Sequence, residues 1–175
     1  MSQPTGRPRV VVRAMGVFAL CLCLGAGAAA AEQLRGPVTN LPLPRYVSLK
    51  VTEGNVRRGP SRSHRIDWVY KRRGMPLQIT AEFEHWRRVR DRDGAGGWVH
   101  YSLLSGLRTA LVETDMAELR MRPAAGSPVV ARAEAGVVAR LVNCGPAWCR
   151  VRAGGQRGWL PKSQLWGVHP KEEFD

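Results

Sequence analysis

One pattern, a β-hairpin with a tryptophan on each arm, occurs twice in this chain, and its recurrence restricts the fold more than any other feature. The first copy is Trp86–His100, WRRVRDRDGAGGWVH, and the second is Trp148–Pro161, WCRVRAGGQRGWLP. In the first, the run from Trp86 to Arg90 ends at Asp93-Gly94-Ala95-Gly96-Gly97, where glycine supplies the positive φ angles of a tight turn. Gly97-Trp98-Val99-His100 then reads as the return strand. Side chains alternate along a strand, so Trp86, Arg88 and Arg90 share one face, and Arg87 and Val89 the other. In the second copy Trp148, Arg150 and Arg152 share a face, opposite Cys149 and Val151. The pattern predicts Val89 and Val151 inside a small core, with arginine stems lying over the outside and their charges in water. A sharper reading makes each Trp-Arg-Arg face a surface for stacking and for holding anions.

The repeat extends beyond the hairpins. Tyr46–Val51 begins an alternating strand, followed by Asn55-Val56-Arg57-Arg58-Gly59-Pro60-Ser61, Trp68–Lys71, Met75–Thr80 and a 3₁₀ turn carrying Leu103 and Leu104. From Ala110 the series runs again. Leu119-Arg120-Met121-Arg122-Pro123 stands where Val56-Arg57-Arg58-Gly59-Pro60 stood, Gly136 answers Gly74, and Ser163, Leu165 and Gly167 answer Ser102, Leu104 and Gly106. Helical periodicity is absent, and short strands with frequent turn signals mean a small barrel or sandwich. Two copies of one module account for 175 residues without a long unstructured loop.

The set Asn55-Val56-Arg57, Gly59-Pro60-Ser61, Gly74, Trp86, Val89-Arg90 and Gly97-Trp98-Val99-His100 resembles the bacterial SH3-like domain family. The second copy is similar through Leu119-Arg120, Pro123, Gly136, Trp148, Val151 and Gly158-Trp159-Leu160, but Arg122 and Ala124 replace the Gly and Ser of the first copy's loop. The resemblance covers Arg45–Gly167. It implies an all-β fold of two consecutive five-stranded, partly open SH3-like barrels. It also implies a non-catalytic accessory that binds peptidoglycan or short peptides in the bacterial envelope. The expected layout is a signal peptide (1–31), an extended linker (32–44), SH3-like domain 1 (45–107), SH3-like domain 2 (108–169) and a frayed tail (170–175).

The N-terminus supports the envelope. Arg7, Arg9 and Arg13 precede an apolar run from Met15 to Leu24 and then Ala29-Ala30-Ala31, the layout of a secretory signal peptide cleaved after Ala31. The competing arrangement, an uncleaved anchor over Ala14–Ala31, is weakened by its Gly and Ala content. Export places the protein across the inner membrane, in the periplasm. It removes Cys21 and Cys23 and leaves Cys144 and Cys149 around a Gly-Pro turn in an oxidising compartment, where a structural disulfide is expected. Formal net charge is +13 for the whole chain and about +10 beyond residue 31.

Catalytic chemistry finds little support. His64, His85, His100 and His169 have no metal spacing, and Glu82 and Glu84 read as a solvated loop face. No cofactor, metal or catalytic residue is expected, nor a fused catalytic domain. Binding has better candidates. Arg57, Arg58, Arg62, His64 and Arg65 crowd one loop, Lys71, Arg72 and Arg73 another, with Trp68 and Tyr70 between them. The expected ligand-binding set is Arg57, Arg58, His64, Trp68, Tyr70 and Arg72. Expected partners are a cell-wall polymer or an envelope-protein peptide, with an anionic membrane surface as a further candidate. Two alternatives stand: a periplasmic protein–protein adaptor or sensor accessory without wall contact, and a nucleic-acid-binding barrel if the chain stays in the cytosol.

Overall fold

The computed structural model describes residues 33–175. The expected signal peptide over residues 1–31, with Cys21, Cys23 and the cleavage point after Ala31, lies outside them. The described chain folds into two antiparallel sheets of seven strands each. The first contains β1 (Arg45–Leu49), β2 (Gly54–Arg57), β3 (Ile66–Tyr70), β4 (Pro76–Phe83), β5 (Trp86–Arg90), β6 (Gly96–His100) and β7 (Leu104–Ser105), in the order β3-β2-β6-β5-β4-β1-β7. The second contains β8 (Thr109–Val112), β9 (Ala117–Arg120), β10 (Val129–Ala133), β11 (Val138–Cys144), β12 (Trp148–Ala153), β13 (Gln156–Pro161) and β14 (Leu165–Trp166). Its order, β10-β9-β13-β12-β11-β8-β14, repeats the first strand for strand. The count exceeds five per module because the edge strands β3 and β10 and the two-residue β7 and β14 also pair.

Period-two alternation builds each core. Val56, Ile79, Val89 and Val99 point inward in the first module with Leu49 and Leu77. Leu119, Leu141, Val151 and Leu160 do so in the second with Val112 and Leu165. The glycine of each Gly-Trp pair has a packing cause. A Cβ on Gly97 would sit 2.7 Å from the Arg57 carbonyl oxygen, and one on Gly158 would sit 2.7 Å from Leu119 Cβ. The return strand therefore approaches β2 or β9 so closely that only hydrogen fits there.

Register exposes an exchange between the modules. Glu82 pairs with Arg87 across β4 and β5, beyond a bulge after Ile79. Cys144 pairs with Cys149 across β11 and β12, beyond a bulge after Leu141. The Cys144–Cys149 disulfide, with Cα atoms 4.1 Å apart, thus occupies the position of the Glu82–Arg87 ion pair, whose charged atoms lie 3.5 Å apart.

The expectation of a solvated Glu82 is overturned: its side chain is fully buried. The reason lies in residues 33–44, which form a closed turn and not an extended linker, with Gly36 N–H donating to the Leu41 carbonyl and Arg35 bridging Pro42. Leu43 enters the first core. Val38 N–H (3.1 Å), Thr39 N–H (2.9 Å) and the Thr39 hydroxyl (2.7 Å) donate to the Glu82 carboxylate, and Arg45 joins from β1 at 2.5 Å. Burial pushes the Glu82 pKa up, but these bonds outweigh it and hold it at about 2.

The tail is likewise docked, not frayed. Phe174 exchanges both backbone hydrogen bonds with Cys144 and packs on the second core, and Glu172 forks with the Arg108 guanidinium. Between the modules, Thr109 Oγ1 donates to the Gly74 carbonyl at 2.7 Å, and Tyr46 meets Trp166 edge-on at 5.3 Å.

Candidate functional site

Alternation puts Asn55 and Arg57 on the outer face of β2, opposite buried Val56. Pairing sets Arg57 beside Trp98 and Trp98 beside Arg88; one row further along the hairpin, Trp86 pairs with His100. Between these side chains and the loop carrying Arg62 lies a pocket of about 190 Å³, lined by Asn55, Arg57, Arg62, Trp86, His100, Ser102 and Leu103.

Among the described residues, the cations of this groove, Arg57 and Arg62, pair with no carboxylate. Arg57 Nη1 donates to the carbonyls of Arg62 (2.9 Å) and His64 (2.6 Å), which fixes its position without cancelling its charge. On the opposite wall, His100 meets Trp86 edge-on at 5.4 Å and stacks obliquely with Tyr101 at 5.0 Å. His100 Nδ1 accepts from Ser102 N–H at 3.4 Å and lies 2.7 Å from the Ser102 hydroxyl. That contact leaves the ring proton of neutral His100 on Nε2, as a donor. Burial lowers the His100 pKa, and the neighbouring Arg62, His85 and Arg87 lower it further.

An aromatic floor, two guanidiniums and a neutral N–H donor suit a carboxylate-bearing ligand with an amide or apolar body. The Ser102–His100 contact has the distance of a nucleophile–base pair. Its position is that of an N-cap on the Tyr101–Leu103 3₁₀ turn, and its surroundings are cationic, so the imidazole is a poor base. Among the described residues, no group of three or more His, Cys, Asp or Glu side chains could hold a metal.

The second module carries the same concavity in the same place, lined by Glu118, Arg120, Trp148, Pro161 and Gln164. Position by position, Glu118 replaces Asn55, Arg120 matches Arg57, Trp148 matches Trp86 and Pro161 replaces His100. Here Arg120 Nη2 reaches Glu118 at 2.5 Å and Arg132 reaches the other oxygen at 3.3 Å. The charge of that groove is consumed internally.

The six residues expected to bind ligand do not form one surface. Arg57 lines the groove, and His64 flanks it through its carbonyl, with its ring filling the space over Gly59. Trp68 pairs with Val56 and Tyr70 with Gly54, so both lie on the face opposite Arg57. Tyr70 is buried, its hydroxyl donating to the Ala95 carbonyl at 3.0 Å. Arg58 sits 3.5 Å from Asp67, and Arg72 donates to the Gly136 carbonyl of the second module. Interleaving in sequence suggests proximity, but strand alternation separates the aromatics from the cation. Trp86, His100 and Ser102 are absent from the expected set, although a Trp opening both hairpin copies is the signal that points to the groove.

Comparison with known proteins adds the following. The bacterial SH3 domain model matches the chain twice, over residues 50–106 and 113–167. No curated protein matches. Among solved structures, NlpC2 from Trichomonas vaginalis aligns with a TM-score of 0.33 and 12% identity over 70% of this chain and 48% of that one. NlpC1 from the same organism gives 0.33 and 13% over 70% and 45%. An NlpC/P60 family protein from Bacillus cereus gives 0.32 and 13% over 69% and 55%. The chain spans about half the length of these structures.

Proposed function

The chain belongs to the bacterial SH3 domain family, and from that premise we propose that it is an exported, non-catalytic binding protein that recognises a peptidoglycan or peptide ligand of the cell envelope through its first module. The observation that carries this reading is the asymmetry of two equivalent grooves. The first keeps Arg57 and Arg62 beside Trp86 and His100 with no carboxylate partner among the described residues; the second closes its arginine onto Glu118. A carboxylate of a wall peptide would sit against Arg57 and Arg62, with its amide body over the Trp86–His100 wall. Export is supported by the Cys144–Cys149 bridge, since disulfides persist in oxidising compartments.

Co-sedimentation with purified peptidoglycan sacculi over a salt series tests this. Retention is expected to survive moderate salt and to fall about tenfold in Arg62→Gln, the size of one charge-assisted hydrogen bond. Arg122→Gln in the second module should leave it unchanged. Equal loss in both variants, or no retention at any salt, overturns the reading.

A second reading, an adaptor without wall contact, draws on β3. It is an edge strand with Ile66 and Trp68 exposed, the arrangement that accepts a partner strand. A partner captured from envelope extract and lost in Trp68→Glu, with no sacculus binding, would favour it.

A further inference from the structure

Across the second sheet, register aligns Arg140 on β11 with Arg152 on β12, and Arg152 with Arg157 on β13. Directly paired residues of an antiparallel sheet project from the same face, so three guanidinium groups stand side by side at strand spacing, across about 10 Å. The next row towards the Trp148 end aligns Arg150 with Trp159, Trp159 with Arg120 and Arg120 with Val129. Arg140, Arg150, Arg152 and Arg157 are exposed, and none pairs with a carboxylate among the described residues.

Like charges placed directly opposite oppose folding. The first module avoids that arrangement at the same positions. Its row is Gln78, Arg90 and Gly96, and Arg90 Nε donates to Gln78 at 2.6 Å. The second module keeps the repulsion, and nothing in its described fold uses these four side chains.

We propose that this arginine face is a docking surface for an anionic phospholipid bilayer. Side chains on a sheet stand perpendicular to it, so the cations form a broad, shallow face, whereas a polymer is tracked along a groove. Guanidinium matches phosphate headgroups in planar, two-point contacts. Apolar groups flank the cations: half-buried Trp159, with Val129 and bulged Val142 at 40% and 41% exposure. Tryptophan and short apolar side chains beside arginine suit the headgroup boundary. The face is independent of the first module's groove, so one module can hold the bilayer while the other holds its ligand.

The test is sedimentation of the full-length chain with phosphatidylcholine vesicles, with and without phosphatidylglycerol. The parent is compared with the quadruple variant R140Q/R150Q/R152Q/R157Q and with K50Q/K71Q/R73Q/R122Q, which has the same net charge. The N-terminal apolar run is identical in every arm, so differences report the substituted positions. Binding to phosphatidylglycerol vesicles should fall on the order of 100-fold in the first variant and several-fold at most in the second. The first variant should also melt no lower than the parent, because it relieves like-charge opposition. Equal losses in the two variants, unchanged binding in the first, or a lowered melting temperature overturns the proposal. So does displacement from vesicles by soluble polyglutamate at equal charge concentration, which would assign the face to an acidic polymer.

Discussion

Replacing Glu82 with Gln should be the most damaging single charge change in the first module, and its size follows from the geometry. The carboxylate is fully buried beneath the turn of residues 33–44, accepting from Val38 N–H, Thr39 N–H and the Thr39 hydroxyl, with Arg45 and Arg87 as cations. Its pKa is about 2, against 4.5 for an ordinary glutamate. Between those values the unfolded chain binds more protons than the folded one, so the ionised carboxylate contributes about 3 kcal/mol of stability at neutral pH. That contribution is complete above about pH 5 and is lost as pH falls through 4.5 towards 2. Gln presents an amide NH₂ to donors and leaves half-buried Arg45 and buried Arg87 without an anion, a loss of similar size. Urea unfolding of parent and Glu82→Gln should therefore differ by about 3 kcal/mol at pH 7. The gap should narrow below pH 5 by up to about 1.4 kcal/mol per pH unit, because a protonated Glu82 leaves the same cations unpaired. A gap that stays constant from pH 7 to pH 3 would refute the account, since it would place the cost in packing and not in the charge.

Four shorter predictions accompany it. Cys144→Ala with Cys149→Ala should lower stability by about 2 kcal/mol, the chain-entropy value for so short a loop, measured by urea unfolding against the oxidised parent. Glu82→Cys with Arg87→Cys should form a second disulfide, detected by thiol counting under denaturing conditions, because its register copies Cys144 and Cys149. Gly97→Ala and Gly158→Ala should each lower stability by about 2 kcal/mol through forced contact with β2 or β9; a change below about 0.5 kcal/mol would show that the strands can part. NMR titration should place the His100 midpoint below 6.5. Because the unfolded histidine protonates first, the parent should lose stability relative to His100→Gln as pH falls through 6.5.

Architecture was legible in the sequence because its determinants are local and occur twice. Val89 and Val151 alternate with arginine, Gly97 and Gly158 precede Trp, and each pattern needs only its own strand to be read. The groove was less legible because it is assembled by pairing. Trp86 meets His100, and Arg57 meets Trp98, only after β2, β5 and β6 take their register, and neighbours in sequence such as Arg57 and Trp68 end on opposite faces. Glu82 was the hardest to read. Its fate depends on a proline-punctuated segment some forty residues earlier in sequence, which closes into a turn and donates three hydrogen bonds to it. Nothing about Glu82-Phe83-Glu84 distinguishes the buried acid from the exposed one: period-two alternation assigns both to one face, and only the end of β4 at Phe83 turns Glu84 out into the solvent.

Comparing the repeats separates what the barrel requires from what each copy does. Positions facing the core or a crossing strand are kept in kind: Val56 and Leu119, Val89 and Val151, Gly97 and Gly158. At the end of the core, two unlike solutions satisfy one constraint. An ion pair under the N-terminal turn and a disulfide beside the C-terminal Phe174 each tie the same two strands together. The turn of residues 33–44 covers the first and the segment around Phe174 the second, so neither position can hold an unpaired polar group, and each copy needed a closed pair there. Positions off the core diverge in charge: Asn55 against Glu118 in the groove, and Gln78, buried and bonded to Arg90, with Gly96 against exposed Arg140 and Arg157 on the sheet. Substituting Asn55→Glu would carry the second module's self-neutralised groove into the first. Because the new carboxylate would close onto Arg57 as Glu118 closes onto Arg120, that one change should abolish sacculus retention while leaving vesicle binding through the arginine face intact.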